Sequence, residues 1–185
     1  MPLPRFTRLP EDQRRHILDV ARRELAQEAS YNQIIAAAGI SKTSAYLYFD
    51  GKQDLVDEVL RDLAADLAGV LGPWSPAEGA DEFWVRLRAD GDRLAGHLMA
   101  HPSDAAVMGR WYEEVVAHGS HSWVRAMVAD GRRLGVIRSD LDSELLVIAT
   151  ASVIHAADRW VVDALARGES ANPDVAWKLL AGMWS

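Results

Sequence analysis

Cysteine is absent from the 185 residues, which excludes disulfides and thiolate metal centres. Long apolar runs are missing too. The longest, Leu145 to Ile154 between Glu144 and His155, falls well short of the roughly 20 residues of a membrane span and reads as a buried helix. Met1 to Arg8 lacks the apolar stretch of a secretion signal, so the expected location is cytoplasmic, with no membrane partner. There is no Gly-rich phosphate loop, no nucleophile elbow and no catalytic metal motif. The expectation is therefore no enzyme, no catalytic residues and no cofactor. His97 and His101 lie four apart and His118 and His121 three apart. No carboxylate stands out at ligand spacing beside them, and none of these histidines is assigned to a metal.

Strand-like alternation is also scarce, because the apolar residues recur at three and four positions; the expected fold is all-α with about nine helices. Helix one follows Pro10, with Glu11 and Asp12 at its positive end and Ile17, Ala21 and Leu25 on one face. Ser30 caps a short helix to Ala38, Gly39 supplies a left-handed stop, and Ser41 caps the next helix to about Phe49. A long helix from Lys52 to Leu71 carries Leu55, Val59, Leu63 and Leu67 on one side and ends at the breaker Gly72-Pro73-Trp74-Ser75-Pro76. Further helices are expected over 81–100, 103–117, 120–133 and from a cap at Asp142 to about 166. The last follows Asn172-Pro173.

Net charge is −7. Residues 1–52 hold eight basic and six acidic side chains, leaving 12 basic and 21 acidic beyond them. A mildly basic head thus precedes an acidic body, and any nucleic-acid contact must be local to the head. Within the head, Ile34, Ile35, Ala38 and Ile40 can pack on Ala45 and Phe49. Lys42, Thr43, Ser44, Tyr46, Leu47 and Tyr48 are then left on the open side. A second helix presenting an amine, hydroxyls and a phenol near its start suits the major groove. Lysine can donate to guanine, a threonine methyl can meet thymine, and hydroxyls can hold phosphates. Tyr46 as half-buried packing is the alternative for that side chain. Arg5 and Arg8 read either as a groove-seeking arm or as a solvated tail.

The string Ile34-Ile35, Ala38-Gly39-Ile40-Ser41-Lys42-Thr43-Ser44-Ala45-Tyr46-Leu47-Tyr48-Phe49, with Lys52 and Leu55 in register, resembles the helix-turn-helix of the TetR family of transcriptional regulators. The resemblance implies base-edge roles for Lys42, Thr43 and Tyr46, and phosphate roles for Ser30, Asn32, Ser44, Tyr48 and Lys52. It departs from the family pattern at Thr43, where glycine is usual, at Ala45, where leucine is usual, and in a short link before the motif. A subset of the family begins its motif in a similar Ser-Tyr-Asn.

The resemblance further implies a DNA-binding domain over 1–51 and an effector-binding, dimerising domain over 52–185. The regulator would be a homodimer on a palindromic stretch of double-stranded DNA, released by a small effector; repression is the commoner output, with activation open. Gly135 to Asp142 looks like the usual entry to the first dimerising helix. Ala149, Ser152, Val153 and Ala156 form a small-residue stripe there, and Trp177, Leu179, Leu180 and Met183 supply apolar surface on the last helix. Burial of both faces within one subunit is the competing reading. Trp84, Met108, Trp111, Tyr112, Trp123 and Met127 are candidates for an apolar or aromatic effector pocket, or else plain core. Two other functions stay open, a helical ligand-binding or interaction protein without specific DNA binding, and a small helical enzyme.

Overall fold

The computed structural model describes residues 2–119, 121–167 and 174–185. Among these it has eleven helices and no strand. The helices are α1 (Pro4–Thr7), α2 (Glu11–Ala26), α3 (Tyr31–Ala37), α4 (Lys42–Tyr48), α5 (Gly51–Leu71), α6 (Ala80–Ala100), α7 (Pro102–Arg110), α8 (Tyr112–His118), α9 (Ser122–Arg133), α10 (Ser143–Ala166) and α11 (Asp174–Trp184). The all-α expectation holds, and about nine helices becomes eleven for two reasons. The N-terminal residues form α1, with Pro4 in its first turn. The expected 103–117 helix divides at Trp111, whose φ of −122° and ψ of 38° are not helical. The expected start at Ser120 and the Asn172-Pro173 cap lie outside the described residues.

The chain forms two compact units, one of residues 1–70 and 96–119, the other of 71–95 and 120–185. In the first, α2 packs against α3 and α7. Ile17, Ala21 and Leu25, the face read from the sequence, are buried with Ile34, Phe49, Leu55, Val59, Leu63, Val107 and Val115. Arg22 lies on the same buried helix. Its guanidinium donates to Asp62 at 2.5 Å, Asp66 at 2.8 Å and Asp104 at 3.3 Å. Burial works against its charge, but the hydrogen bond to Asp66 and the charges of Asp104, Asp62 and Asp66 outweigh that and raise its pKa.

In the second unit, α10 packs on α9 and α11. Phe83, Leu87, Met127, Val128, Ile137, Leu146, Leu180 and Trp184 form the core. Trp74 stacks edge-on to Trp123 at 5.4 Å and donates its indole N–H to buried Asp130 at 3.0 Å. Trp184 donates to the hydroxyl of buried Thr150 at 3.0 Å. Gly131 packs closely, since a Cβ there would lie 2.6 Å from Ile137 Cδ1 and 3.1 Å from Phe83 Cζ, and these buried side chains would have to shift. Asp142 caps α10 as expected, its carboxylate accepting from the N–H groups of Glu144 and Leu145 at 2.9 and 3.0 Å.

Candidate nucleic-acid interface

Short sequence signals set the geometry of α3 and α4. Ser30 and Gln33 form a capping box at the start of α3. At its other end the Gly39 N–H donates to Ala36 O and the Ile40 N–H to Ile35 O, both at 3.1 Å, with Gly39 at φ 68°. This paired closure needs a left-handed residue, which glycine adopts without a Cβ clash. Ser41 then caps α4 by accepting from the Ser44 N–H at 3.0 Å. The tight turn therefore rests on two residues, Gly39 closing α3 and Ser41 capping α4, and no loop separates the two helices beyond it.

The helix pair is held from behind. Ile34, Ile35, Ala38, Ala45 and Phe49 are buried, and Ile40 is half-buried, as the apolar pattern requires. The α1 helix adds a brace that the sequence does not announce. Phe6 is buried with its ring 4.7 Å from that of Phe49 and 6.2 Å from that of Tyr48, and the Leu3 N–H donates to Tyr48 O at 2.9 Å. One phenylalanine in a polar, proline-flanked segment has no periodicity to reveal it. Arg5 and Arg8 stay exposed at this end.

On the open side, Lys42 and Thr43 are exposed, Tyr46 is 62% exposed and Leu47 38%. Tyr46 is thus not half-buried packing. Ser44 and Tyr48 are half-buried, and Ser30 and Asn32 are exposed at the start of α3. Three of these groups are already engaged, the Ser44 hydroxyl accepting from that of Ser41 at 2.9 Å. The Ser30 hydroxyl donates to Gln33 Oε1 at 2.6 Å, and Lys52 donates to Ala29 O at 3.0 Å, fastening α5 to the link before the motif. Tyr31, which sequence reading passed over, lies with its ring 6.2 Å from that of Tyr46. Burial, with the nearby Tyr46 and Asp54, raises its phenol pKa, so it stays neutral at physiological pH.

The short link has a local explanation. The Glu28 N–H donates to Leu25 O and the Ala29 N–H to Glu24 O, both at 3.0 Å, closing α2 with Glu28 at φ 62°. Arg110 secures this closure, donating to Leu25 O at 3.3 Å and pairing with the Glu28 carboxylate.

The other candidate residues fall in two groups. Met108 and Tyr112 are buried and Trp111 half-buried in the first unit's core. Met127 is buried and Trp84 and Trp123 are half-buried in that of the second. On α10, Ser152 and Ala156 are exposed, Ala149 and Val153 half-buried, and the same helix exposes Leu145 and Ile148. On α11, Leu179 is 59% exposed and Trp177 and Met183 are half-buried. Leu180, expected on a shared face, is 1% exposed and fills the second unit's own core.

Residues 17–59 match the family model for bacterial regulatory proteins of the tetR family. Several solved structures resemble the chain over most of its length. A TetR family transcriptional regulator from Chloroflexus aurantiacus is 27% identical with a TM-score of 0.52, over 98% of this chain and 87% of that one. A TetR-family transcriptional regulator from Haemophilus influenzae is 13% identical with a TM-score of 0.63, over 94% of each. No curated protein matches. The chain carries the TetR-family helix-turn-helix at residues 17–59 and shares the fold of solved TetR-family transcriptional regulators.

Proposed function

We propose that this chain is a homodimeric repressor that reads a palindromic operator through residues 1–51 and is released when a small apolar or aromatic molecule binds residues 52–185. The observation that carries the DNA-reading half is the two-sided character of α4: Ala45 and Phe49 are fully buried while Lys42, Thr43 and Tyr46 face outward. Lys42 donates to base-edge acceptors and Thr43 offers its methyl to thymine, with Tyr46 beside them. Ser30, Asn32, Ser44, Tyr48 and Lys52 hold the phosphates on either side. Lys52 spends one donor on Ala29 and keeps two for this role.

Dimerisation uses α10 and α11, whose exposed Leu145, Ile148, Val175 and Leu179 are costly to leave in water. Two heads on one symmetric dimer would address half-sites about 34 Å apart or a multiple of that. An effector releases DNA only to the extent that it prefers the dimer form whose heads misfit the operator. Such a protein works in the cytoplasm, beside its DNA, and catalyses no reaction.

Selection of bound duplexes from a random pool, followed by affinity for the winner and a scrambled control at several salt concentrations, tests this reading. The expected result is a palindromic winner bound at least about a thousandfold more tightly than the control. Weak, sequence-blind binding at all salt concentrations would reject the reading and favour a helical ligand-binding protein.

A further inference from the structure

The end of α6 and the start of α7 carry a side-chain cluster that neither DNA reading nor dimerisation uses. His97 and His101 are one helical turn apart, and their rings stack with centroids 4.1 Å apart and planes 22° from parallel. Pro102 opens α7, and Asp104 in its first turn places Oδ2 2.9 Å from His97 Nε2. One ligand atom from each of the three side chains lies within 4.8 Å of the other two. The carboxylate that the bare histidine spacing lacks is supplied by the turn between two helices.

We propose that His97, His101 and Asp104 form a binding site for a divalent first-row transition ion of the zinc type. Two imidazoles and one carboxylate suit zinc, cobalt or nickel, whereas magnesium and calcium favour all-oxygen sets. Ligand bonds of about 2.0–2.2 Å around a tetrahedral ion put neighbouring ligand atoms roughly 3.3 Å apart. The His97 and Asp104 atoms are already close to that separation. His101 is exposed, its ligand atom already lies within 4.8 Å of the other two, and with three protein ligands the fourth position is left to water.

The surrounding hydrogen bonds prepare each ligand. His101 Nδ1 lies 2.8 Å from the His97 carbonyl oxygen. Donation of an Nδ1 proton there leaves the Nε2 lone pair for the metal, the usual outer-shell arrangement of a ligating histidine. Asp104 is buried and keeps Oδ1 on the Arg22 guanidinium at 3.3 Å while Oδ2 ligates. Ligation through His97 Nε2 takes the tautomer protonated at Nδ1, the ion then standing between Nε2 and Asp104 Oδ2 in place of their mutual contact. All four residues lie in the first compact unit. Metal bound only by the folded form therefore raises the stability of that unit.

The test uses the full chain without a purification tag, stripped with a chelator and titrated with zinc or cobalt by calorimetry and visible absorption. The expected result is about one ion per chain, a rise in Tm with zinc, none with magnesium, and a cobalt spectrum of a nitrogen and oxygen site. His101→Ala, an exposed change that leaves the fold intact by circular dichroism, weakens zinc binding by at least about tenfold, as does His97→Ala. His16→Ala, at an exposed histidine elsewhere on α2, leaves it unchanged. Absence of saturable zinc binding, or binding equally tight in His101→Ala, overturns the proposal. If His97→Ala does not fold, His101→Ala decides.

Discussion

Arg22 on α2 donates to Asp104 on α7 at 3.3 Å across 82 residues of sequence, and both side chains are only 8% exposed. Asp62 and Asp66 of α5 close the other side of the guanidinium. Three helices of the first unit are thus joined through one cation. Burial raises the pKa of Asp62 in spite of the opposing charge of Arg22, so the charged form carries a cost that the guanidinium offsets only in part. Arg22→Met leaves the buried Asp104 without its cation and is expected to destabilise the chain by about 3 kcal/mol. Urea unfolding with an unchanged m value and a lower midpoint is the measurement; an unaltered midpoint would show that the network contributes nothing net.

Gly39 sits at φ 68° between α3 and α4, with open space where a Cβ would go. Gly39→Ala therefore meets no clash but does incur left-handed backbone strain, expected to cost about 1–2 kcal/mol. Thermal unfolding of the variant checks this.

Asp130 accepts from the Trp74 indole, the Ala77 N–H and Arg133. Burial pushes its pKa up, but the Ala77 N–H, then Arg133 and Trp74, more than reverse this and hold it below the ordinary aspartate value. A depressed carboxylate stabilises the fold above its unfolded value of about 3.9. That contribution is lost as pH falls below 3.9 or so through the lower folded value. Asp130→Asn should be less stable than the parent at pH 7, and the gap should narrow in acid. A gap independent of pH would refute the linkage.

Ile148 on α10 and Leu179 on α11 are 57% and 59% exposed. The double change Ile148→Glu with Leu179→Glu adds charge to apolar surface that a dimer would bury, and is expected to give a folded monomer by sedimentation. A dimer that survives both changes would move the interface elsewhere.

Lys42→Ala is expected to cost about 1–3 kcal/mol in affinity for the selected operator. Because Lys42 is exposed, its effect on stability should stay within about 0.5 kcal/mol. Fluorescence anisotropy alongside thermal unfolding separates the two, and equal losses in both would mean that the side chain supports the fold instead.

Much of the head is legible without coordinates because its signals act within four residues. Ser30, Gly39, Ser41 and the buried set Ile34, Ile35, Ala45 and Phe49 specify two helices and the turn between them by capping and periodicity alone. The Asp142 cap and the apolar face Ile17, Ala21, Leu25 are legible for the same reason. Periodicity misses α1 because four residues are barely one turn, and it runs the 103–117 segment through Trp111, where the backbone leaves the helix.

Local rules assign an apolar residue to a helix face but not to a partner. Leu179 and Leu180 are adjacent and equally apolar, yet one is open to solvent and the other sealed in the core. The same limit hides polar groups that meet only after folding, as Arg22 and Asp104 do across 82 residues. Sequence by itself determined the helices, their caps and the outward residues of α4, since these follow from chemistry within a few positions of the chain. Only the tertiary structure decided which leucine is buried, that Phe6 braces α4, and that Arg22, Asp104 and His97 meet. Those contacts depend on how helices distant in sequence, or their separate faces, pack, and no short stretch of sequence encodes that.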